Sequence, residues 1–564
     1  DDILAALEDC VTLGVDVVNL SLGSPAGFTY RSDLLSTMEV YDRLARAGII
    51  VAAAAGNEYS AAYKNLWGTD LSLTSNPDYG IVGSPSSYSQ TLSVASADNV
   101  TVRSAYFEAA GRKITFTDTA TTNNPEGGFI RVLCGKTLDY VVVPGNGEEA
   151  DYANLNVKGK VALVSRGVTT FAEKHEMAHA KGAAACIVYN TEAGMINMSI
   201  DSFPIPAIFI SQADGQAMVA AAKDAVGTLT VSNSTYDAPS ETGGQPSSFS
   251  SWGPTEGLSL KPEITGIGGN VFSAYYGEYF AVASGTSMSS PAVAASMALL
   301  RQYLKTTSIP EEDYAKVANC LLMSTATPIV DEANGTYYFV RRQGAGLANI
   351  GNAVKSGAYI TVEGTDKAKL ELGDDAEKTG KYEMKFSVVN FSQEAKTYAL
   401  SLQGLGQAAE GGLVKGGKVT YLTQNYAKKL DATYTTSLNG NELTVPAGAT
   451  AQVTVTLQLT DAQKAYYDER FPNGAYVEGF VQLTSKDAVT LSVPFLAFYG
   501  DFGAAPVAET GSYATLLGGE RSYNTADQVV SGIYSYRSIS DSDVLSWMTE
   551  KSWLGDTAAP GMSM

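Results

Sequence analysis

The sequence predicts an α/β protein: a parallel sheet with helices against it, followed by a β-sandwich. Three observations carry that expectation. The first 57 residues alternate helix and apolar strand twice over. The run Ala283-Ser284-Gly285-Thr286-Ser287-Met288-Ser289-Ser290-Pro291 opens a helix with a single apolar stripe. Beyond residue 357 the apolar period changes from helical to two.

Ile3, Leu7, Cys10 and Val11 mark one face of a first helix that Gly14 ends, and Val15 to Leu22 reads as a buried strand. Leu34, Met38, Tyr41 and Ala45 mark a second helix, closed by Gly48 before the strand Ile49 to Ala55. Two apolar strands joined by a helix imply a parallel pair with a right-handed crossover. Their carboxyl ends carry Ser21-Leu22-Gly23 and Ala55-Gly56-Asn57, and ligands of open α/β sheets bind beyond that edge. Taken alone, the first triplet is an ordinary strand end, and Asn57 is a turn residue bonding its own backbone. On a sharper reading Asn57 presents its amide to an oxyanion, a donor worth about 10²–10³ in rate.

In the later helix the apolar positions Val293, Met297, Leu300 and Leu304 form one buried stripe. Ser287 falls at the N-cap or in the first turn, and Pro291 is tolerated there because the first N–H groups lack intrahelical partners. Ser287 therefore reads either as a cap or as a nucleophile favoured by the helix's positive end. Position alone fits both.

These residues resemble the subtilase family of serine peptidases. Asp16-Val17-Val18-Asn19-Leu20-Ser21-Leu22-Gly23 is similar to the family's substrate-cradling strand, and Ile50 to Asn57 to its oxyanion strand. Ser284 to Pro291 is similar to its nucleophile block. The resemblance implies Ser287 as nucleophile, Asn57 as oxyanion donor, and Ser21, Leu22, Gly23, Ala55 and Gly56 as substrate-binding positions. Leu73 to Gly80 with Val82-Gly83-Ser84-Pro85, and Phe249-Ser250-Ser251-Trp252-Gly253-Pro254 with Leu260 to Thr265, resemble the cell-envelope branch of lactocepins and C5a peptidases. Gly266-Ile267 and Ala292 depart from the family's usual residues at positions that supply no catalytic chemistry.

The family's catalytic Asp and His lie upstream of the cradle strand, whereas this chain opens at Asp1 inside the preceding helix. Its two histidines, His175 and His179, follow Asn57 by more than a hundred residues. The expectation is a fragment lacking the Asp and His and inert on its own, since a serine without a base is a weak nucleophile. Asp1 and Asp2 read as first-turn charges.

The net charge of −21, from 38 Lys and Arg against 59 Asp and Glu, argues against nucleic acid and fits an extracellular, secreted or cell-wall enzyme. Its partners would be extracellular proteins or peptides. No apolar run is long enough for a membrane span. Cys10, Cys134, Cys186 and Cys320 are too few and scattered for a disulfide framework, leaving room for one bridge. The resemblance allows for structural calcium, for which no ligand cluster marks a site.

His175-Glu176-Met177-Ala178-His179 fits the zinc-peptidase pattern H-E-x-x-H. Its surroundings point elsewhere. It sits on a helix between the strands Val161 to Val164 and Ala185 to Tyr189, with Glu192 the one candidate for a third ligand. That strand-helix-strand unit resembles the protease-associated (PA) domain, so no metal is assigned. The expected domains are a catalytic front remnant at 1–115, a PA insert at 116–235 and the rest of the catalytic domain, with the nucleophile, at 236–356.

Phe471 to Phe480 and Val493 to Asp501 resemble the fibronectin-type module of these envelope peptidases, which implies such a sandwich at 357–502, with the start of a further domain at 503–564. The sandwich shows in the alternation of Tyr382, Met384, Phe386 and Val388 and of Val453, Val455, Leu457 and Leu459. Pro494 suits an edge strand or bulge. The alternative to a peptidase is a catalytically inactive surface protein derived from one.

Overall fold

The computed structural model describes residues 2–26, 31–62, 71–119, 127–192, 195, 198, 200, 204–274, 280–415 and 418–504. All but the first two residues of the expected further domain, 503–564, lie outside that set. The described residues fall into two compact units. One draws on Asp1–Asn99, Gly244–Val271 and Ala283–Met564, the other on Val100–Gly243 and Phe272–Val282.

In the first unit α1 (Asp2–Leu13), β1 (Val17–Leu20), α2 (Arg31–Arg46) and β2 (Ile50–Ala54) follow in the predicted order. The buried stripe of α1 is rotated from the predicted one. Ile3 is 47% exposed, and Leu4 joins Leu7, Cys10 and Val11 against the core. The first strand is shorter than expected because Ser21 to Gly23 leave the sheet.

β1 pairs in parallel with β2, and β3 (Thr91–Asp98) and β4 (Ile264–Gly269) complete a four-stranded parallel sheet in the order β1-β2-β3-β4. β2 is buried at every residue, which explains its unbroken apolar run. α3 (Thr286–Leu304) packs across all four strands and buries Val293, Met297, Leu300 and Leu304. Its close approach depends on Gly268, where a Cβ would lie 2.0 Å from Ser289 Oγ and 2.5 Å from the Gly285 carbonyl.

Pro291 is the sixth residue of α3, so it lies beyond the first turn. The reason expected for its tolerance therefore does not hold. The carbonyl that a residue at 291 would bond, four positions back at Ser287, accepts instead from the hydroxyl of Ser21 at 2.7 Å.

The helix Tyr314–Ser324 is buried nearly all round, between α3 on one side and the strands Ala358–Thr361 and Leu491–Tyr499 on the other. Those strands belong to a β-sandwich of a four-stranded and a six-stranded sheet. Tyr382, Met384, Phe386 and Val388 point into its core, as do Val453, Val455, Leu457 and Leu459. That core is continuous with the one beneath α3. Pro494 lies in a strand with neighbours on both sides. Pairing to Leu370–Asp375 starts one residue later, at Phe495, so the edge is open where the proline stands.

Charged side chains cross the same boundary. Arg341 and Glu478, both fully buried, pair at 2.9 Å, and Lys369 reaches Glu263 at 3.0 Å.

The second unit carries an eight-stranded sheet. Its centre is the parallel set Thr137–Val143, Val161–Ser165, Ala185–Tyr189 and Ala207–Ile210. The helix Phe171–Ala180 links the second of these to the third, opened by a capping box of Thr170 and Glu173. All four cysteines are free thiols.

Candidate active site

The carboxyl ends of β1 and β2 and the amino end of α3 enclose a cleft of about 220 Å³. Ser21 to Pro25 form one wall, Gly56 to Glu58 another, and Thr286 and Ser287 the third, with Gly83 between. Ser287 is the second residue of α3 after the N-cap Gly285, whose N–H donates to the Gly268 carbonyl at 2.9 Å and so ties the helix start to β4. The half-buried Ser287 hydroxyl faces the Ser21 carbonyl across 3.4 Å. Ser21 Oγ in turn accepts from Asn19 Nδ2 at 3.0 Å.

Asn57 is brought to the same cleft by the turn after β2. Its Oδ1 accepts from the Thr286 N–H at 2.9 Å and from the Thr286 hydroxyl at 3.0 Å. A main-chain N–H can only donate, so it must face Oδ1, which fixes which end of the amide is the donor. The Thr286 Oγ1 also accepts from the Gly56 N–H at 3.1 Å. The amide is thus oriented by the residue next to Ser287.

Of the predicted site residues, Ser21, Leu22, Gly23, Gly56, Asn57 and Ser287 line the cleft. Leu22 is 42% exposed there. Ala55 is buried behind it, its N–H donating to Val94 and its carbonyl accepting from Gly83. Thr286, Glu58, Ser24 and Gly83 were not singled out from the sequence. A Ser24–Ser84 bridge closes the chain beyond β1 over Gly23, where a Cβ would lie 2.6 Å from the Ser84 carbonyl. The signal for Gly83 and Ser84 was the block Val82-Gly83-Ser84-Pro85. For Thr286 it was the hydroxyl immediately before Ser287.

No histidine or aspartate lines the cleft among the described residues. His175 is buried in the second unit, a ring nitrogen 2.8 Å from the Ile205 carbonyl, while His179, one turn later, is exposed. Glu192 pairs with Arg166. Among the described residues no three His, Cys, Asp or Glu side chains gather as a metal-binding group. No described helix is long and apolar enough to cross a membrane.

The Subtilase family matches residues 1–346 and the Fn3-like domain residues 358–496. The C5a peptidase of Streptococcus pyogenes serotype M3 is 30% identical over 520 residues, covering 90% of this chain and 41% of its own length. The PII-type proteinase of Lactococcus lactis subsp. cremoris is 30% identical over 538 residues, covering 90% of this chain and 27% of its own. The chain thus spans less than half the length of these relatives. Among solved structures, the zinc aminopeptidase BSAP of Bacillus subtilis is 25% identical over 25% of this chain and 33% of its own, with a TM-score of 0.19. The nucleophile-like serine at the head of α3, the parallel sheet beneath it and the match over more than half the chain agree: the chain belongs to the subtilase family of serine peptidases, with a Fn3-like β-sandwich after the catalytic fold.

Proposed function

We propose that the complete protein is a secreted or cell-wall serine endopeptidase acting on extracellular proteins, with Ser287 as nucleophile and Asn57 as oxyanion donor. One observation carries the reading. Asn57 and Thr286, 229 residues apart, are bonded so that a serine hydroxyl and an oriented amide share one cleft at the sheet's carboxyl edge. In this proposal Ser287 Oγ attacks the scissile carbonyl, and Asn57 with the N-terminal dipole of α3 stabilises the charge on its oxygen. Ser21, Leu22 and Gly23, with Gly56 opposite, bind the substrate backbone as an added strand, while Ala55, buried with its N–H and carbonyl already bonded, supports Gly56 from behind.

The base for Ser287 and the acid that orients it would be a His and an Asp from chain upstream of Asp1. Without them such a site keeps only about 10³–10⁴-fold catalysis over water. We assign the insert between Asn57 and Ser287 as a PA module that, with the sandwich, governs which substrates reach the cleft. The relatives' names, peptidase and proteinase, support protein substrates.

The test is mass and N-terminal sequence of the native protein, followed by labelling with a fluorophosphonate. Labelling of the native protein, abolished by Ser287→Ala, is the expected result. Failure of the full native chain to label would overturn it. The alternative reading, an inactive surface binding protein, would then stand.

A further inference from the structure

We infer that Ser251 is a positioning residue for the oxyanion donor, acting through Glu58; the inference rests on the proposed peptidase reading and deepens it. Gly56, Asn57 and Glu58 form the turn that leaves β2, and Ser251, fully buried, holds that turn at both ends. Its N–H donates to the Gly56 carbonyl at 3.1 Å. Its Oγ accepts from the Glu58 N–H at 3.2 Å and donates to Glu58 Oε2 at 3.2 Å. The same carboxylate oxygen accepts from the Asn57 N–H at 2.7 Å.

The turn is built against this serine. Gly56 has a φ of +114°, and a Cβ there would lie 2.6 Å from Ser251 Oγ and 2.7 Å from Glu58 Oε2. Asn57 is itself exposed, so packing does not hold it. Thr286 grips the side-chain amide, and the Ser251–Glu58 pair grips the main chain beneath it. A donor to a developing oxyanion lowers the barrier only when it is aimed before the charge appears. A misplacement of about 1 Å can cost as much as 10²-fold in rate. Removing the Ser251 hydroxyl leaves the Glu58 N–H without this acceptor and takes one donor from the Glu58 carboxylate. The carboxylate, which keeps its bond from the Asn57 N–H, can then swing toward the cleft it already lines and draw that turn with it.

The experiment is a double-mutant cycle in the full-length native protein, reading kcat and KM on a peptide substrate. Ser251→Ala is expected to lower kcat about tenfold with KM within about twofold. In an Asn57→Ala background the same substitution should change kcat by less than about twofold, because the group it positions is gone. Glu58→Ala reaches the same bond from the other side and should show the same loss and the same masking. Equal losses of kcat in both backgrounds mean a merely structural role and overturn the inference alone. A wild-type protein whose Ser287 does not label with fluorophosphonate overturns the peptidase reading and this inference with it.

Discussion

The hydroxyl of Ser21 donates to the main-chain carbonyl of Ser287 across 2.7 Å, at the one place in α3 where a proline leaves a carbonyl without a helical partner. Pro291 has no N–H to give to residue 287, and β1's continuation supplies the missing donor. The proline and the serine are therefore two halves of one arrangement. It fixes the helix start against the chain leaving β1.

Ser21→Ala should cost about 1 kcal/mol, the usual worth of one hydrogen bond. In a Pro291→Ala background, where an N–H is restored to the helix, the same change should cost clearly less. Thermal melts of the four proteins decide it: equal costs in both backgrounds would show that the two residues act independently.

The buried pair of Arg341 and Glu478 joins the catalytic fold to the sandwich. Arg341 donates through Nε to Oε1 at 2.9 Å and through its own main-chain N–H to Oε2 at 3.0 Å, while Nη1 donates to the Tyr79 hydroxyl at 2.8 Å. The guanidinium lies 3.8 Å from the centre of the Tyr476 ring. Removing one member strands a buried charge, so Glu478→Ala should destabilise the protein by about 3–5 kcal/mol. Replacing both, Arg341→Met with Glu478→Leu, should cost less than Glu478→Ala alone. Urea unfolding followed by tryptophan fluorescence reads both. A single-site cost below the double-site cost would contradict the arrangement.

Local patterns make the frame legible in the sequence. The unbroken apolar run of β2 and the 293, 297, 300, 304 stripe of α3 are set by neighbours close in sequence, and both are buried as their spacing predicts. The meeting of Asn57 with Thr286 is a different matter. It spans 229 residues, and only the order of blocks shared with a known family pointed to it. Glu58 carried no signal of its own, because a glutamate after a strand usually faces solvent, and Ser251 stood out only as a member of the block Phe249 to Pro254. Arg341 and Glu478 were hidden for the same reason: charged residues are rarely fully buried unless paired, and sequence does not show the pairing. The rotation of α1 toward Leu4 was missed because two apolar faces compete on a short helix.

The cysteines should differ sharply in reactivity. Cys134 is exposed, Cys10 half-buried, and Cys186 and Cys320 are buried, burial pushing both of the latter thiols up to about 12. Under native conditions iodoacetamide should modify Cys134 first and Cys10 slowly. Cys186 and Cys320 should react only after unfolding. Mass spectrometry of the time course gives the order, and early modification of Cys186 or Cys320 would contradict their burial.

Asp78 gives the protein a pH dependence of unusual sign. Burial, with the nearby Glu256 carboxylate as a second cause, raises its pKa to about 6. An acid held above its unfolded value binds its proton more tightly in the folded state. Its contribution is fully present below the unfolded value near 3.8 and is lost as pH rises through about 6. At about 1.4 kcal/mol per pH unit, the loss between those limits is about 3 kcal/mol. Asp78→Asn removes the titration while keeping the shape. Relative to that variant, the wild-type protein should lose stability steadily from pH 4 to 6 and hold a constant deficit above pH 7. Melting temperatures of both proteins across that range test it, and a difference that does not change with pH would mean that Asp78 ionises in the folded protein as it does in the unfolded chain.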